Sequence, residues 1–398
     1  MHEGWRETTL GELIDHKRPI TYGVVQPGEH DPHGIPLVRG GDFSSGWRPI
    51  EDYRRVSPEV EQPFSRARLK RGDLVITIKG DVGTAAIVPD FLDGANISQT
   101  NARLAIDPKK AKAEIVLAFL QSRSGRKQID AVTQVGAQPG LIFRDIQGFR
   151  LWLPTLPEQR KIAEILRTWD EAIEKLKALQ AAKERRLEAL RDALLFEGLR
   201  VGEVRRNRPM RRIGEVTREL TARNSDGALG RDLVMGVTNS RGIVPMREQT
   251  VADDIGRYKK LPPLAFAYNP MRINVGSIAM NPGNRTVLVS PDYVVFACEE
   301  NGMEPDYLDH LRQTRWWLHH INSGGSGSVR QRTYYDDLAA LHLPLPDLGE
   351  QQAIVKVLNT AKADVAASVE LGEALTRQKH GLMQKLLTGE WRVKVEAH

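Results

Sequence analysis

The stretch LPTLPEQRKIAEIL (residues 153–166) is written a second time as LPDLGEQQAIVKVL (residues 345–358). In each, a Leu-Pro pair and a further Pro or Gly stand before Glu-Gln. Apolar residues then return at steps of three and four, which is how a helix begins. The offset is 192 residues (345 − 153), and it aligns the surroundings without a gap. Leu179, Leu190, Leu194 and Leu195 meet Leu371, Leu382, Leu386 and Leu387; upstream, Ile129, Asp145 and Leu151 meet Ile321, Asp337 and Leu343. At a slightly different offset TLGEL (9–13) resembles RIGEV (212–216). The chain is a tandem duplication of a unit of roughly two hundred residues.

Each copy has two parts. The first reads as short β-type runs broken by Gly, Pro and Asn: 73–78, 85–88 and 101–106 in one copy, and 264–268, 277–280, 286–289 and 293–297 in the other. A short helix is expected near 113–121 and again near 305–321. The second part is a long helix, 157 to about 196 and 350 to about 387, closed by Gly198 and Gly389. The expected fold class is therefore α+β: two mixed α/β globular domains, each followed by a long helix. The expected boundaries are 1–152, first globular domain; 153–198, first long helix; 199–209, linker; 210–344, second globular domain; 345–391, second long helix; and 392–398, tail.

The long helices carry a heptad seam. In the first, Leu166, Trp169, Ile173, Leu176, Gln180, Lys183, Leu187, Leu190 and Leu194 step by three and four; in the second, Leu358, Ala361, Val365, Ser368, Gly372, Leu375, Lys379, Leu382 and Leu386 do the same. Such a repeat keeps one face on a partner helix, so the two rods are expected to pair as an antiparallel coiled coil. Polar residues interrupt both seams, and either fix the register or meet a third chain. Forty helical residues span about 60 Å at 1.5 Å per residue, enough to hold two domains apart.

Composition sets the outer limits. With 40% hydrophobic and 27% charged residues the 398-residue chain is ordinary globular material, and no window approaches the roughly 18 consecutive apolar residues of a membrane span. The single cysteine, Cys298, excludes an intrachain disulfide. The polar start MHEGWRETTLGEL lacks the apolar core of a secretory signal, which points to a cytoplasmic protein with no membrane partner. A net charge of +6 and a pI near 9.3 fit a nucleic-acid partner without requiring one.

Taken together, the order of domain, LPxLPEQRKIAEIL helix, domain and LPxLGEQQAIVKVL helix ending GLMQKLLTG resembles the DNA-specificity subunit of Type I restriction-modification systems. The resemblance covers essentially the whole chain, and its helical segments are the specific part. It implies target-recognition domains that each read half of a split, asymmetric site on double-stranded DNA, and helices that set the unread gap. It also implies two methyltransferase (modification) subunits docked alongside, and translocating restriction subunits that join that core. S-adenosylmethionine would belong to the methyltransferase partner, and no cofactor to this chain. The alternatives are a stand-alone clamp-like DNA-binding regulator and an adaptor whose two domains bind proteins.

A search for chemistry in the chain itself finds none. Asn269-Pro270-Met271-Arg272 lacks the second proline and the aromatic of an adenine-methyltransferase loop, and reads as a turn out of a strand. There is no GxxxxGK[ST] phosphate loop, and His319-His320 beside Trp316-Trp317 reads as packing on a short helix. The chain is expected to be non-catalytic, with no metal site.

Duplex reading needs Arg or Lys for phosphates, and Arg, Lys, Asn, Gln or Ser for base edges. Two loops at equivalent places before the long helices meet that need. One spans 133–143 with Gln134 and Gln138; the other spans 323–335 with Ser326, Ser328, Arg330, Gln331, Arg332 and Tyr334. The other reading of the second, Gly-Ser-rich loop is a surface loop without contacts. Further candidates are Lys79, Gln99 and Asn101 in the first domain, and Asn239, Arg241 and Arg272 in the second. Lys259-Lys260 and the arginines of 66–71 are read as phosphate contacts or as solubilising charge, and the basic cluster 205–212 as a solvated connector between the repeats.

Overall fold

The computed structural model describes residues 4–133, 140–196, 208–239, 241–247, 250–323 and 332–395. Two compact units emerge, Met1–Leu176 with Leu371–His398, and Lys177–Glu370. The division cuts through both long helices, Leu156–Leu195 and Leu348–Thr388. Each unit is therefore one globular domain together with the start of one long helix and the end of the other.

The two units repeat one scheme. In the first, a four-stranded antiparallel sheet runs in the order Thr21–Tyr22, Asn101–Leu104, Leu74–Thr77, Ala85–Ile87. In the second, the order is Thr217–Glu219, Val294–Cys298, Phe266–Tyr268, Ile278–Met280. The opening strand of each copy pairs antiparallel with the strand that leads into its long helix: Arg6–Thr9 with Arg150–Leu153, and Met210–Arg212 with His342–Pro344. The remaining strands differ. The first unit adds a three-stranded sheet with a parallel pair, Ile35–Val38 beside Asn96–Ile97, and the second adds two separate two-stranded ribbons.

Where one short helix was expected, each copy has two. Ala113–Gln121 is followed by Arg123–Val132, and Pro305–Leu311 by Arg315–Ser323. A hydroxyl makes the break. Ser122 Oγ donates to Phe119 O and accepts from Gly125 N, and Thr314 Oγ1 repeats both bonds with Leu311 O and Trp317 N. It ends one helix and caps the next.

The duplicated Glu-Gln explains itself once the bonds are drawn. Gln159 is buried; its amide donates to Pro154 O at 2.9 Å, and its carbonyl accepts the N–H of Lys112, the residue preceding the Ala113–Gln121 helix, at 2.8 Å. Gln351 does the same with Pro346 O and Glu304 N, both at 2.9 Å. The glutamates clamp arginines that lie beyond the end of the other long helix. Arg392 donates twice to Glu158, and Arg208 twice to Glu350. Glu158 also accepts from Trp5 Nε1 and from Thr155. Burial raises its carboxyl, but these donors outweigh that and hold it below the ordinary value of 4.5. Arg208 is thus a structural clamp rather than a solvated residue of the linker.

The heptad seam behaves as expected within each unit. In the first, Leu166, Trp169, Ile173 and Leu176 are buried or half-buried, as are Leu375, Leu382 and Leu386 on the facing helix. In the second, Leu187, Leu190 and Leu194 face Leu358 and Val365 in the same way. Asp170 pairs with Lys379, and Lys183 with Asp364 at 2.7 Å and Ser368 at 2.8 Å, so the helices run antiparallel in both units. Each buried leucine contributes about 1.5–3 kcal/mol, against about 0–1 for a half-exposed ion pair. The leucines hold the rods together and the lysines select the register.

Each domain core extends onto the rods. Ile162, Leu166, Met383 and Leu386 belong to the first core, and Leu187, Leu194, Ile354 and Leu358 to the second. In the second unit His310, fully buried, joins them by hydrogen bonds: Nε2 to Asn359 Oδ1 at 2.8 Å, while Nδ1 accepts from Arg191 Nε at 3.4 Å. Among the described residues no helix is long and apolar enough to cross a membrane.

Replacing Gln159 or Gln351 with Ala strands a buried N–H and a buried carbonyl; each substitution should cost about 1–3 kcal/mol in urea unfolding, whereas Gln352→Ala, on the exposed face, should leave the midpoint within about 0.5 kcal/mol. Burial, with Arg191 and Lys362 nearby, holds the His310 imidazolium below the ordinary 6.5 against the raising effect of Asn359. The stability it contributes is complete above pH 6.5 and lost as pH falls through the lower folded value. The thermal midpoint should therefore drop between pH 7.5 and 5.5 more steeply in the native protein than in His310→Asn.

Candidate nucleic-acid interface

In the first unit, five loops are laced together at one end of the sheets. Val24 N donates to Ile97 O and Gln99 N to Val24 O; Ser98 N reaches Val38 O; Ile78 N and Lys79 N both reach Thr100 O; and Leu141 N reaches Ile78 O, all within 2.8–3.3 Å. Lys79 is exposed on this edge and Gln99 half-buried, so the lacing brings together two sequence candidates that are twenty residues apart. The loop with Gln134 and Gln138 returns to the same edge at Gly140, which bridges Lys79. Gln134 and Gln138 themselves lie outside the described residues.

Asn101 is placed elsewhere. It is 0% exposed on an inner strand, and its side-chain amide donates to Val38 O at 3.1 Å. An alternating strand turns every second side chain inward, and the Asn101 amide holds the Ile35–Val38 strand instead of facing solvent. It is withdrawn from the DNA-reading set.

Arg39 and Arg48 were not among the sequence candidates. Both are exposed, and both approach the 3%-exposed Asp42, at 3.6 and 3.7 Å. Asp42 also accepts the Arg39 N–H. A buried carboxylate thus gathers two guanidinium groups, one of them on the residue that follows Val38 of the laced edge. The Arg39-Gly40-Gly41-Asp42 turn was the only signal, and it is a weak one.

The second unit repeats one of these bonds, with different side chains around it. Thr333 N donates to Pro270 O at 3.0 Å; this is the same bond as Leu141 to Ile78, shifted by 192 at both ends. It brings Arg332 and Tyr334 to the turn that carries Arg272. All three are exposed, and Arg332 donates to the Tyr334 hydroxyl at 3.4 Å. Met235–Thr238 and Gly242–Pro245 form an antiparallel hairpin, and its tip carries exposed Asn239 and Arg241. Gly276 adopts φ +86°, a left-handed conformation that favours glycine, and lies against the Asn239 side chain. Ser326, Ser328, Arg330 and Gln331 lie outside the described residues.

Other basic candidates are engaged within their own domain. Lys260 pairs with Asp226 at 2.8 Å, Lys259 donates to Tyr293 O, and Arg68 forms a two-bond pair with fully buried Glu61. That pair is the main reason the Glu61 carboxyl lies below its ordinary value. Trp316 stacks on His320 at 3.8 Å while Trp317 is buried, the packing arrangement expected for them. Among the described residues no group of three or more His, Cys, Asp or Glu is placed to hold a metal ion.

Comparison with known proteins agrees with this geometry. Residues 2–184 match the family described as Type I restriction modification DNA specificity domain. The chain is 30% identical over 176 residues to the Escherichia coli type I restriction enzyme EcoBI specificity subunit, a match spanning 44% of this chain but only 37% of that protein. It is 23% identical to a Methanocaldococcus jannaschii protein named for the specificity subunit of the type I enzyme MjaX, over 98% of this chain and 97% of the other. A chain from a solved structure on complex assembly of the type I R-M system superimposes with a TM-score of 0.58 and 19% identity over 98% of this chain and 99% of that one. The S subunit from M. genitalium superimposes with 0.54 and 13% identity over 96% of each. Residues 2–184 thus resemble the Type I DNA specificity domain, and the chain as a whole shares the fold of these solved type I subunits.

The placement of Asn101 and Lys79 separates their roles. Asn101→Ala should lower stability by about 1–2 kcal/mol in urea unfolding, while Lys79→Ala should leave it within about 0.5 kcal/mol.

Proposed function

We propose that this chain is the non-catalytic DNA-binding subunit of a Type I restriction-modification complex. Each unit reads one half of a bipartite, asymmetric target, and the paired helices set the unread interval. The carrying observation is the twice-used backbone bond, Ile78 to Leu141 and Pro270 to Thr333, which builds the same loop face in both units from unlike side chains. One scaffold with two sets of reading residues calls for two different half-sites on duplex DNA. In the first unit Lys79, Gln99, Arg39 and Arg48 face the DNA. In the second, Asn239, Arg241, Arg272, Arg332 and Tyr334 do so; Gln134, Gln138, Ser326, Ser328, Arg330 and Gln331, outside the described residues, are kept in the reading set on their sequence. Two methyltransferase subunits supply methyl transfer from S-adenosylmethionine, and restriction subunits join that core.

Co-expression with a methyltransferase encoded beside it, followed by mapping of methylated bases across a genome, tests the reading. A motif of two short defined halves and an unspecified gap is expected. A continuous motif, or methylation by the purified chain alone, overturns it. Lys79→Ala and Arg332→Ala should each weaken binding across sequences and lower the salt slope by about one. Affinity and specificity that do not rise when the methyltransferase is added would indicate a stand-alone regulator instead.

A further inference from the structure

In the second unit, strands Phe266–Tyr268 and Ile278–Met280 are joined by residues 269–277, a turn that includes the short 3-10 helix Ile273–Val275. Its base is closed by Asn269 N to Ser277 O at 3.2 Å, and its interior by Arg272 N to Asn269 O and Ser277 N to Arg272 O. The turn presents Met271 (47% exposed) and Val275 (57%) to solvent. Tyr334, 52% exposed, stands beside them through the Thr333–Pro270 bond. Arg272 lies in the turn itself, Arg332 adjoins it through the Thr333–Pro270 bond, and Arg241 lines the same hollow as Val275; all three are exposed. At the equivalent place the exposed residues of the first unit's turn are Lys79, Gly80 and Asp81, none of them apolar, while Val82 is half-buried.

Two exposed apolar side chains on a hydrogen-bonded turn with guanidinium groups nearby are a costly surface unless something apolar meets them beside something anionic. Duplex DNA offers that combination in its major groove, where the thymine 5-methyl is the apolar feature of a base edge and phosphates flank it. Building on the DNA-reading assignment above, we propose that Met271 and Val275 contact a thymine methyl and make the second unit's half-site depend on an A·T pair at that position. Arg241, Arg272 and Arg332 hold the flanking phosphates.

The test uses the full chain with its methyltransferase, at one salt concentration, on duplexes carrying the mapped target. Each thymine is replaced in turn by deoxyuridine, which keeps base pairing and removes only the methyl. At one position, in one half-site, the native protein should lose affinity about fourfold, the effect of removing one buried methyl group. Met271→Ala with Val275→Ala should bind thymine and deoxyuridine duplexes equally. Equal binding of both duplexes by the native protein at every position overturns the proposal, as does a target without an A·T pair in either half. A double variant that binds more weakly yet still discriminates also overturns it, and so does loss of affinity with no methyl dependence in the native protein, which would mark an inserted wedge. If the target duplex is bound no better than a scrambled one, it is the DNA-reading assignment itself that fails.

Discussion

A single carboxamide, used twice, organises the molecule. A forty-residue helix leaving a small domain through a proline- or glycine-bearing turn is held by the core further along, through Ile162 and Leu166 or Ile354 and Leu358, but keeps freedom at the turn itself until polar bonds close it. Gln159 and Gln351 remove the freedom by bonding at once to the carbonyl of the preceding proline and to the N–H that precedes a domain helix. Both groups are shielded from water, so the bond is kept by the penalty for leaving them unpaired. The neighbouring glutamate then ties the same corner to an arginine beyond the other rod's end, by Glu158 with Arg392 and Glu350 with Arg208. Domain, helix start and helix end are locked at one joint in each unit.

That joint lets the recognition loops vary. The bonds that lace the loop edges are backbone bonds, Ile78 to Leu141 and Pro270 to Thr333, and backbone bonds are indifferent to the side chains they carry. Lysine and glycine therefore occupy one copy of the turn where methionine and arginine occupy the other, and the frame stays the same. The division of labour is physical: buried side-chain bonds hold the repeat and exposed side chains are free to differ.

Much of this was legible in the chain. Burial of a face demands apolar residues at a helical period, so the seams through Leu166, Leu187, Leu358 and Leu386 could be read off residue by residue. The long helices begin and end within two residues of where their proline, glycine and heptad signals put them. Other features were less visible. The expected single helix near 305–321 is two helices because Thr314 offers its hydroxyl to both ends, a local choice that apolar periodicity does not register. Asn101 looked like a surface amide because composition does not say which way a strand residue points, and the sheet turned it inward.

What the sequence by itself determined is the repeat, the pairing of the helices and the positions of the joints, because these follow from periodicity and from residues with few alternatives, such as Pro, Gly and a duplicated Glu-Gln. What only the tertiary structure decided is which polar residues share a surface. Lys79 and Gln99 meet, Arg39 and Arg48 gather on buried Asp42, and Arg208 leaves the linker to clamp Glu350, all through contacts between residues far apart in the chain. A contact of that kind has no period to reveal it, since its energy depends on a partner that local sequence does not name.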